Sequence, residues 1–488
     1  LNKLKIFALL TLTTTFAGCG SSADTNDDSK TLYAAGGSAL ITPNDLNYPT
    51  SCVRYIGGTI LNRVAEGTSD DLYANALILK QGSETVVFIE MDVVGLTIAV
   101  ANALFEKLEP LGFRRDRIIL ASTHTHAGPD TMGLWGPRIS KSGICPDYID
   151  FLVQTAANLA VETRDKLKPV SFKAGEAPIN DPGSDHPALQ QDFRYPPVLN
   201  NRLMAGEFTG EDGKAVATLA LWHAHPETMI NSRKFSADFP AYIREKLRDA
   251  RGGSSIYFSG TLGGLMVPLD VKIPVRDESG EPVLDNGAQT YVSENNEIKN
   301  RSLGYVLGEK ALEILSSAKK IDGALSVDTL EIDIPVSNET FWLLNDLGII
   351  MPLPLVSDNP DFCGSYGCVR QTLLMVNIGN AHFLALPGEI LPETSLGREE
   401  FKKDWGGEWG SFTYPAMTGY RSALPQGHLL FEIGLANNEL GYVVPQADFQ
   451  PMNHPNYYCE MDCVSEKAEQ IIREAAIKLL SGIKTEKK

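Results

Sequence analysis

The sequence predicts an α/β fold: a mixed or mainly parallel sheet with flanking helices and long active-site loops. Three observations carry this expectation. Strand-like and helix-like runs alternate from about residue 71 to residue 249. The 488 residues are 43% hydrophobic, enough for a large core. The residues best suited to chemistry fall just beyond strand-like runs, where such sheets collect their sites.

The elements follow in order. "DLYANALILKQG" and "ETVVFIEMDVVG" (71–95) read as two strands joined by a glycine turn. "TIAVANALFEKLEPLG" (97–112) has helical apolar spacing and stops at glycine. "RIILAST" is the next strand, and "DFLVQTAANLAVETRDKL" (150–167) the next helix. "AVATLALWHAH" (215–225) is a strand and "FPAYIREKLRD" (239–249) a helix. "LEIDIPVS" (330–337) and "AHFLALPGE" (381–389) are later strands. "SEKAEQIIREAAIKLLSG" (465–482) is an amphipathic closing helix. Residues 275–300 and 341–368 read as long loops. The second is apolar and proline-interrupted, and suits either the lining of a lipid-sized pocket or ordinary core packing.

Charge narrows the partners. A formal net charge of -18 argues against nucleic acid, whose phosphates need a basic surface. At the N-terminus, Lys3 and Lys5 precede a short apolar run, 6–18, too short to span a bilayer and shaped as a secretory signal. Ala17 and Gly18 before Cys19 resemble a bacterial lipobox, with Phe16 where an aliphatic residue is usual. The expected organisation is a signal peptide over 1–18, a polar tether over 19–32 lipidated at Cys19, and one catalytic domain over 33–488. The expected location is the cell envelope, exported and lipid-anchored. Six further cysteines suit disulfides in an exported chain. The proposed pairs are Cys363–Cys368, Cys459–Cys463 and Cys52–Cys145, among fifteen pairings that six cysteines permit.

Four of the eight histidines lie in two H-x-H pairs, His124 with His126 and His223 with His225. In an extended segment residues i and i+2 face one side, so each pair would project together. Neutral imidazole is a common zinc ligand, and a catalytic zinc has three protein ligands and an open position. One histidine alone reads as structural; two pairs at strand ends read as a metal site.

The surroundings are more specific. "ILASTHTHAGP" and "LWHAHPETM" resemble the two histidine segments of the neutral/alkaline, non-lysosomal ceramidase family. "SADFPAY" (236–242), "LPGE" (386–389) and "GLANNELGYVVP" (434–445) resemble three more of its segments, in family order. The resemblance implies one zinc held by His124, His225, Glu389 and Tyr442. It implies catalytic roles for His126 and Tyr458 at a developing oxyanion, and an N-acylsphingosine or related N-acyl lipid substrate. Asp238 reads as a helix cap. The departures are specific. "SGTLGGLMVP" (259–268) has Gly264 and Met266 where the family carries aspartate and serine. "INDP" (179–182) has Asp181 where it carries arginine, with Arg202 a weak substitute. The family's immunoglobulin-like C-terminal domain has no counterpart in the sequence. The expected function is therefore zinc-dependent amide hydrolysis. The alternatives are a zinc hydrolase of another amide or ester, and a non-catalytic surface protein that binds lipid or glycan.

Overall fold

In the computed structural model, residues 30–43, 52–264 and 266–483 are described. The signal peptide, Cys19 and most of the tether lie outside them. Runs rich in Val, Ile and Phe form the first strands, because branched and aromatic side chains pack well on a pleated surface. These are β1 (Tyr33–Leu40), β2 (Tyr73–Gln81), β3 (Glu84–Met91) and β4 (Ile118–Ser122). β2 and β3 pair antiparallel across a turn at Gly82, whose φ of +55° favours glycine. β5 (Lys168–Pro178), β6 (Arg202–Gly210), β7 (Ala215–Trp222), β8 (Ser254–Ser259) and β9 (Lys319–Ile321) complete one sheet. Its order is β8-β7-β6-β5-β1-β2-β3-β4, with β9 beside β5. β3–β4 and β7–β8 are parallel and the other pairs antiparallel, so the sheet is mixed.

A second, smaller sheet comprises β10 (Leu325–Pro335), β11 (Leu355–Val356), β12 (Cys368–Ile378), β13 (Ala381–Ala385) and β15 (Leu429–Ile433). Between β13 and β15, β14 (Glu389–Ile390) pairs parallel with the later β16 (Tyr442–Val443). The two large sheets pack face to face. Leu77, Phe88, Phe172 and Phe208 from the first meet Val376, Phe383 and Phe431 from the second in one buried cluster. The outer face of the first sheet carries α1 (Ile98–Leu108), α2 (Pro146–Arg164), α3 (Phe239–Arg251) and α4 (Glu297–Ser317). α5 (Glu339–Asp346) and α6 (Ala468–Ser481) close the second sheet. The result is four layers: helix, sheet, sheet, helix. Among the described residues, no helix is long and apolar enough to cross a membrane.

Three expectations change. The longest of these helices, α4, begins inside the stretch read as a loop. Its Gly304 and Gly308 let α3 approach: a Cβ on Gly304 would lie 2.5 Å from Phe239 O, and one on Gly308 would lie 2.7 Å from Lys246 Cβ. The 341–368 stretch carries part of α5 and all of β11. Its Phe341, Ile350 and Leu353 fill core beside α6, while Leu343 and Leu347 stay exposed. Cys52–Cys145 and Cys363–Cys368 are bonded, but Cys459 and Cys463 are free and buried. Their thiols have separate surroundings. Cys463 donates to Ser465 O, whereas Cys459 packs with Tyr442, Leu391 and Val444.

Candidate metal centre

Two candidate ligands, His124 and His225, follow strand ends, and two, Glu389 and Tyr442, open short strands. His124 lies two residues past β4, with a left-handed φ of +68°. The first pair therefore converges through a tight bend, not through strand alternation. The His124 amide donates to Val93 O, and its Nδ1 bonds Val94 O. His225 follows β7, and its Nδ1 bonds Met266 O at 3.1 Å. With Nδ1 tied to a backbone carbonyl in both rings, Nε2 is the free ligand atom, the arrangement typical of metal-binding histidine. Both point at Glu389. His225 Nε2 is 2.9 Å from Oε2, and His124 Nε2 is 3.5 Å from Oε1. Met266 thus serves this site through its carbonyl, although its side chain replaces a hydroxyl of the resembled segment.

Glu389 opens β14, directly opposite Tyr442 on β16. Gly388 precedes it at φ +67°, where a Cβ would meet Gly441 O at 2.6 Å. The Tyr442 ring lies 6.4 Å from the His225 ring. Tyr458 is half-exposed at the mouth, its ring 6.0 Å from that of Tyr442. His126 completes the cluster. The ligand atoms of His124, His126 and His225 all lie within 4.8 Å of one another. His126 Nδ1 lies 2.8 Å from Glu227 Oε1, without a well-angled hydrogen bond. The His124 and His126 Nε2 atoms are buried with no hydrogen-bond partner. Two orphaned nitrogens beside a buried carboxylate fit a divalent cation, because buried polar atoms without partners are costly.

The electrostatics agree. Burial opposes ionisation of Glu389, but His124 and His225 hold its carboxyl far below the usual range. Burial also opposes ionisation of Glu227, which His126 nevertheless keeps low. Burial lowers His126 to about 4, against the pull of Glu227. Burial and then Glu389 push the Tyr442 and Tyr458 hydroxyls above the ordinary tyrosine range.

The second histidine pair splits. His223 turns away from the centre, and its Nδ1 accepts from Thr261 N at 2.9 Å, with Asn200 beside it. Sequence reasoning did not single out Glu227, although it stands two residues past His225. Nor did it find Arg63, whose guanidinium donates to His126 O and to Ile230 O. Glu439 is a further buried carboxylate near Glu389, held by Gly441 N at 2.9 Å. Arg202 keeps to the far side, near Glu176 and Asn200. Buried Arg194 forms a two-pronged pair with Glu460, two residues beyond Tyr458.

Asp238 caps α3. Its carboxylate accepts from Phe239 N, Met229 N and the Thr228 hydroxyl, pinning the loop after His225. Burial raises it to about 6. A carboxyl raised on folding contributes most below its unfolded pKa near 3.8, and that contribution fades as pH climbs through 6. Asp238→Asn should therefore flatten the pH dependence of stability between pH 4.5 and 7.5 by on the order of 1–3 kcal/mol. Urea unfolding of both proteins at the two pH values measures it. Equal slopes would refute the assignment.

Residues 43–242 match the family described as neutral/alkaline non-lysosomal ceramidase, N-terminal. The fold is similar to that of neutral ceramidase from Pseudomonas aeruginosa. The TM-score is 0.64 at 15% identity, over 94% of this chain and 76% of that one. It is also similar to a ceramidase complexed with C2. There the TM-score is 0.65 at 13% identity, over 93% and 75% of the two chains.

Proposed function

From a chain whose residues 43–242 match the neutral/alkaline non-lysosomal ceramidase family, we infer a zinc-dependent hydrolase of an N-acyl amide, with N-acylsphingosine or a related N-acyl lipid as substrate. One observation carries the reading: Glu389 lies between two histidines whose Nδ1 atoms are anchored, leaving Nε2 atoms aimed inward. His124, His225, Glu389 and Tyr442 would hold the metal, a nitrogen and oxygen set suited to zinc. When bound, the cation supplies Lewis acidity at the acyl carbonyl and acidifies water near neutrality.

The chain's own groups then divide the proton work. His126 faces Glu227 through Nδ1 and offers Nε2 to the centre, so it accepts a proton from the attacking water. Once charged, it donates to the developing oxyanion. Tyr458 stays protonated at the mouth and donates there too. Water adds to the carbonyl carbon, the C–N bond breaks, and the amine leaves with the proton that His126 took. The products are a carboxylic acid and a free amine. Export and anchoring through Cys19 belong to the same proposal. A different amide or an ester is the second reading, favoured by buried Met266 where the family carries serine.

Metal content tests this. The purified chain should carry about one zinc per molecule, and His124→Ala should lose it together with turnover of N-acylsphingosine. A His124→Ala protein with full zinc and full turnover would sink the assignment.

A further inference from the structure

Two loops beside the centre form a surface that the proposed reaction does not use. Residues 52–64 fold as a hairpin, with Tyr55 bridged to Val64 and Ile56 N donating to Arg63 O. Residues 131–145 form the second loop, and the disulfide Cys52–Cys145 ties the outer ends of the two together. The loops also bond to each other, Asn62 N to Gly136 O at 2.9 Å. At their tips, Ile60 is 65% exposed, Leu61 44% and Ile139 66%. Three bulky aliphatic side chains are thus exposed on two loops that hydrogen-bond to each other.

Charge is segregated here. The two loops contain Arg54, Arg63, Arg138 and Lys141 and no Asp or Glu, in a chain of net charge -18. Arg63 is turned inward onto His126 O. Arg54, Arg138 and Lys141 are exposed, and no ion pair among the described residues engages them. Apolar tips on loops that carry exposed cations without ion-pair partners match a bilayer, where aliphatic groups enter the acyl layer and cations meet anionic headgroups. A two-fold dimer through this patch would set the same cations against themselves. The patch is continuous with the centre. Gly57 N donates to Gly128 O, and a Cβ on Gly58 would lie 2.4 Å from His126 Cγ.

We propose that the 52–64 and 131–145 loops are a membrane-docking surface. Ile60, Leu61 and Ile139 insert at a bilayer whose anionic headgroups pair with Arg54, Arg138 and Lys141. Docking there sets the mouth of the metal centre against the lipid. The inference rests on the N-acyl lipid reading for its purpose, but its test needs no turnover.

The test is co-sedimentation with phosphatidylcholine vesicles, with and without phosphatidylglycerol. The full chain carries Cys19→Ser, so that no acyl group attaches. The parent should bind the anionic vesicles more tightly, and the difference should shrink in high salt. Ile60→Ser, Leu61→Ser and Ile139→Ser together should weaken binding about ten-fold or more. Arg138→Gln with Lys141→Gln should remove most of the anionic preference. Zinc content and thermal midpoint, unchanged in both variants, exclude misfolding. Equal binding by parent and triple variant overturns the proposal. So does a parent that binds neither vesicle, or one whose triple variant loses only a dimer on size exclusion. Vesicle binding through the patch by a chain that cleaves no N-acyl amide would fail the hydrolase reading alone.

Discussion

Glu389→Gln should leave the fold intact and empty the metal centre. The substitution keeps the side-chain shape but removes the charge lying between His124 Nε2 and His225 Nε2. Its amide NH2 would also donate to an Nε2 lone pair that the metal needs. Turnover should fall by at least about a hundred-fold, the scale on which loss of even an outer partner of a ligand acts, and zinc content should fall with it. Glu227→Gln makes the contrast. It stands behind His126 and should keep the metal while lowering kcat by roughly a hundred-fold or more, the usual worth of a positioned acid–base group. Metal analysis beside steady-state kinetics separates the two. Glu389→Gln with normal zinc would remove that residue from the ligand set.

The largest stability effect is expected outside the ligand set. Arg244 on α3 is buried against Glu90 on β3 and Asp92 just beyond it. The distances are 2.7 Å to Glu90 Oε1 and 2.6 Å to Asp92 Oδ2. Burial lifts Glu90 well above its ordinary range, Arg244 pulls it back, and Asp92 lifts it again. Arg244→Met fills the same space but leaves two carboxylates in the core with one cation fewer. Breaking a buried pair in this way costs about 3–5 kcal/mol. Urea unfolding should show a lower midpoint with an unchanged slope. A second change, Glu90→Gln, should recover part of the loss, because it removes a charge that Arg244 no longer answers. A loss below about 1 kcal/mol would mean that the triad is hydrated in solution.

The fold was legible where short apolar runs or one helical period dominated. β2, β3 and β4 are apolar runs buried on both faces, α1 repeats at helical spacing, and each stands within a few residues of its expected place. α4 was hidden because it is packed on more than one side. Lys299, Asn300 and Ser302 are buried with Leu303 and Leu307, so no polar face marks it. Its two glycines serve helix contact. His124, His225 and Glu389 were legible because short motifs carry them, and the structure brings all three together. The expectation that His223 and His225 project together failed because the chain bends after β7, so that residues i and i+2 no longer share a side. Glu227 had no independent signal: a glutamate after His-Ala-His-Pro looks like any loop carboxylate until His126 is placed beside it. The Cys459–Cys463 pair failed because sequence proximity does not aim two thiols at each other.

The candidate ligands are supplied by both layers of the sandwich. His124 and His225 leave the first sheet, while Glu389 and Tyr442 hang from the connections of the second. Asn437 already joins the layers, its side chain accepting from Leu120 N and donating to Ile118 O. A cation held by ligands from both sheets would rivet them. Parting the layers would then require giving up the ion, so its binding free energy would add to the cooperativity of the whole molecule, as RT ln(1 + [L]/Kd). Chelation would turn one melting unit towards two, with the smaller sheet and its helices loosening first. The sharpness of the unfolding transition, and not only its midpoint, would then report on the ion.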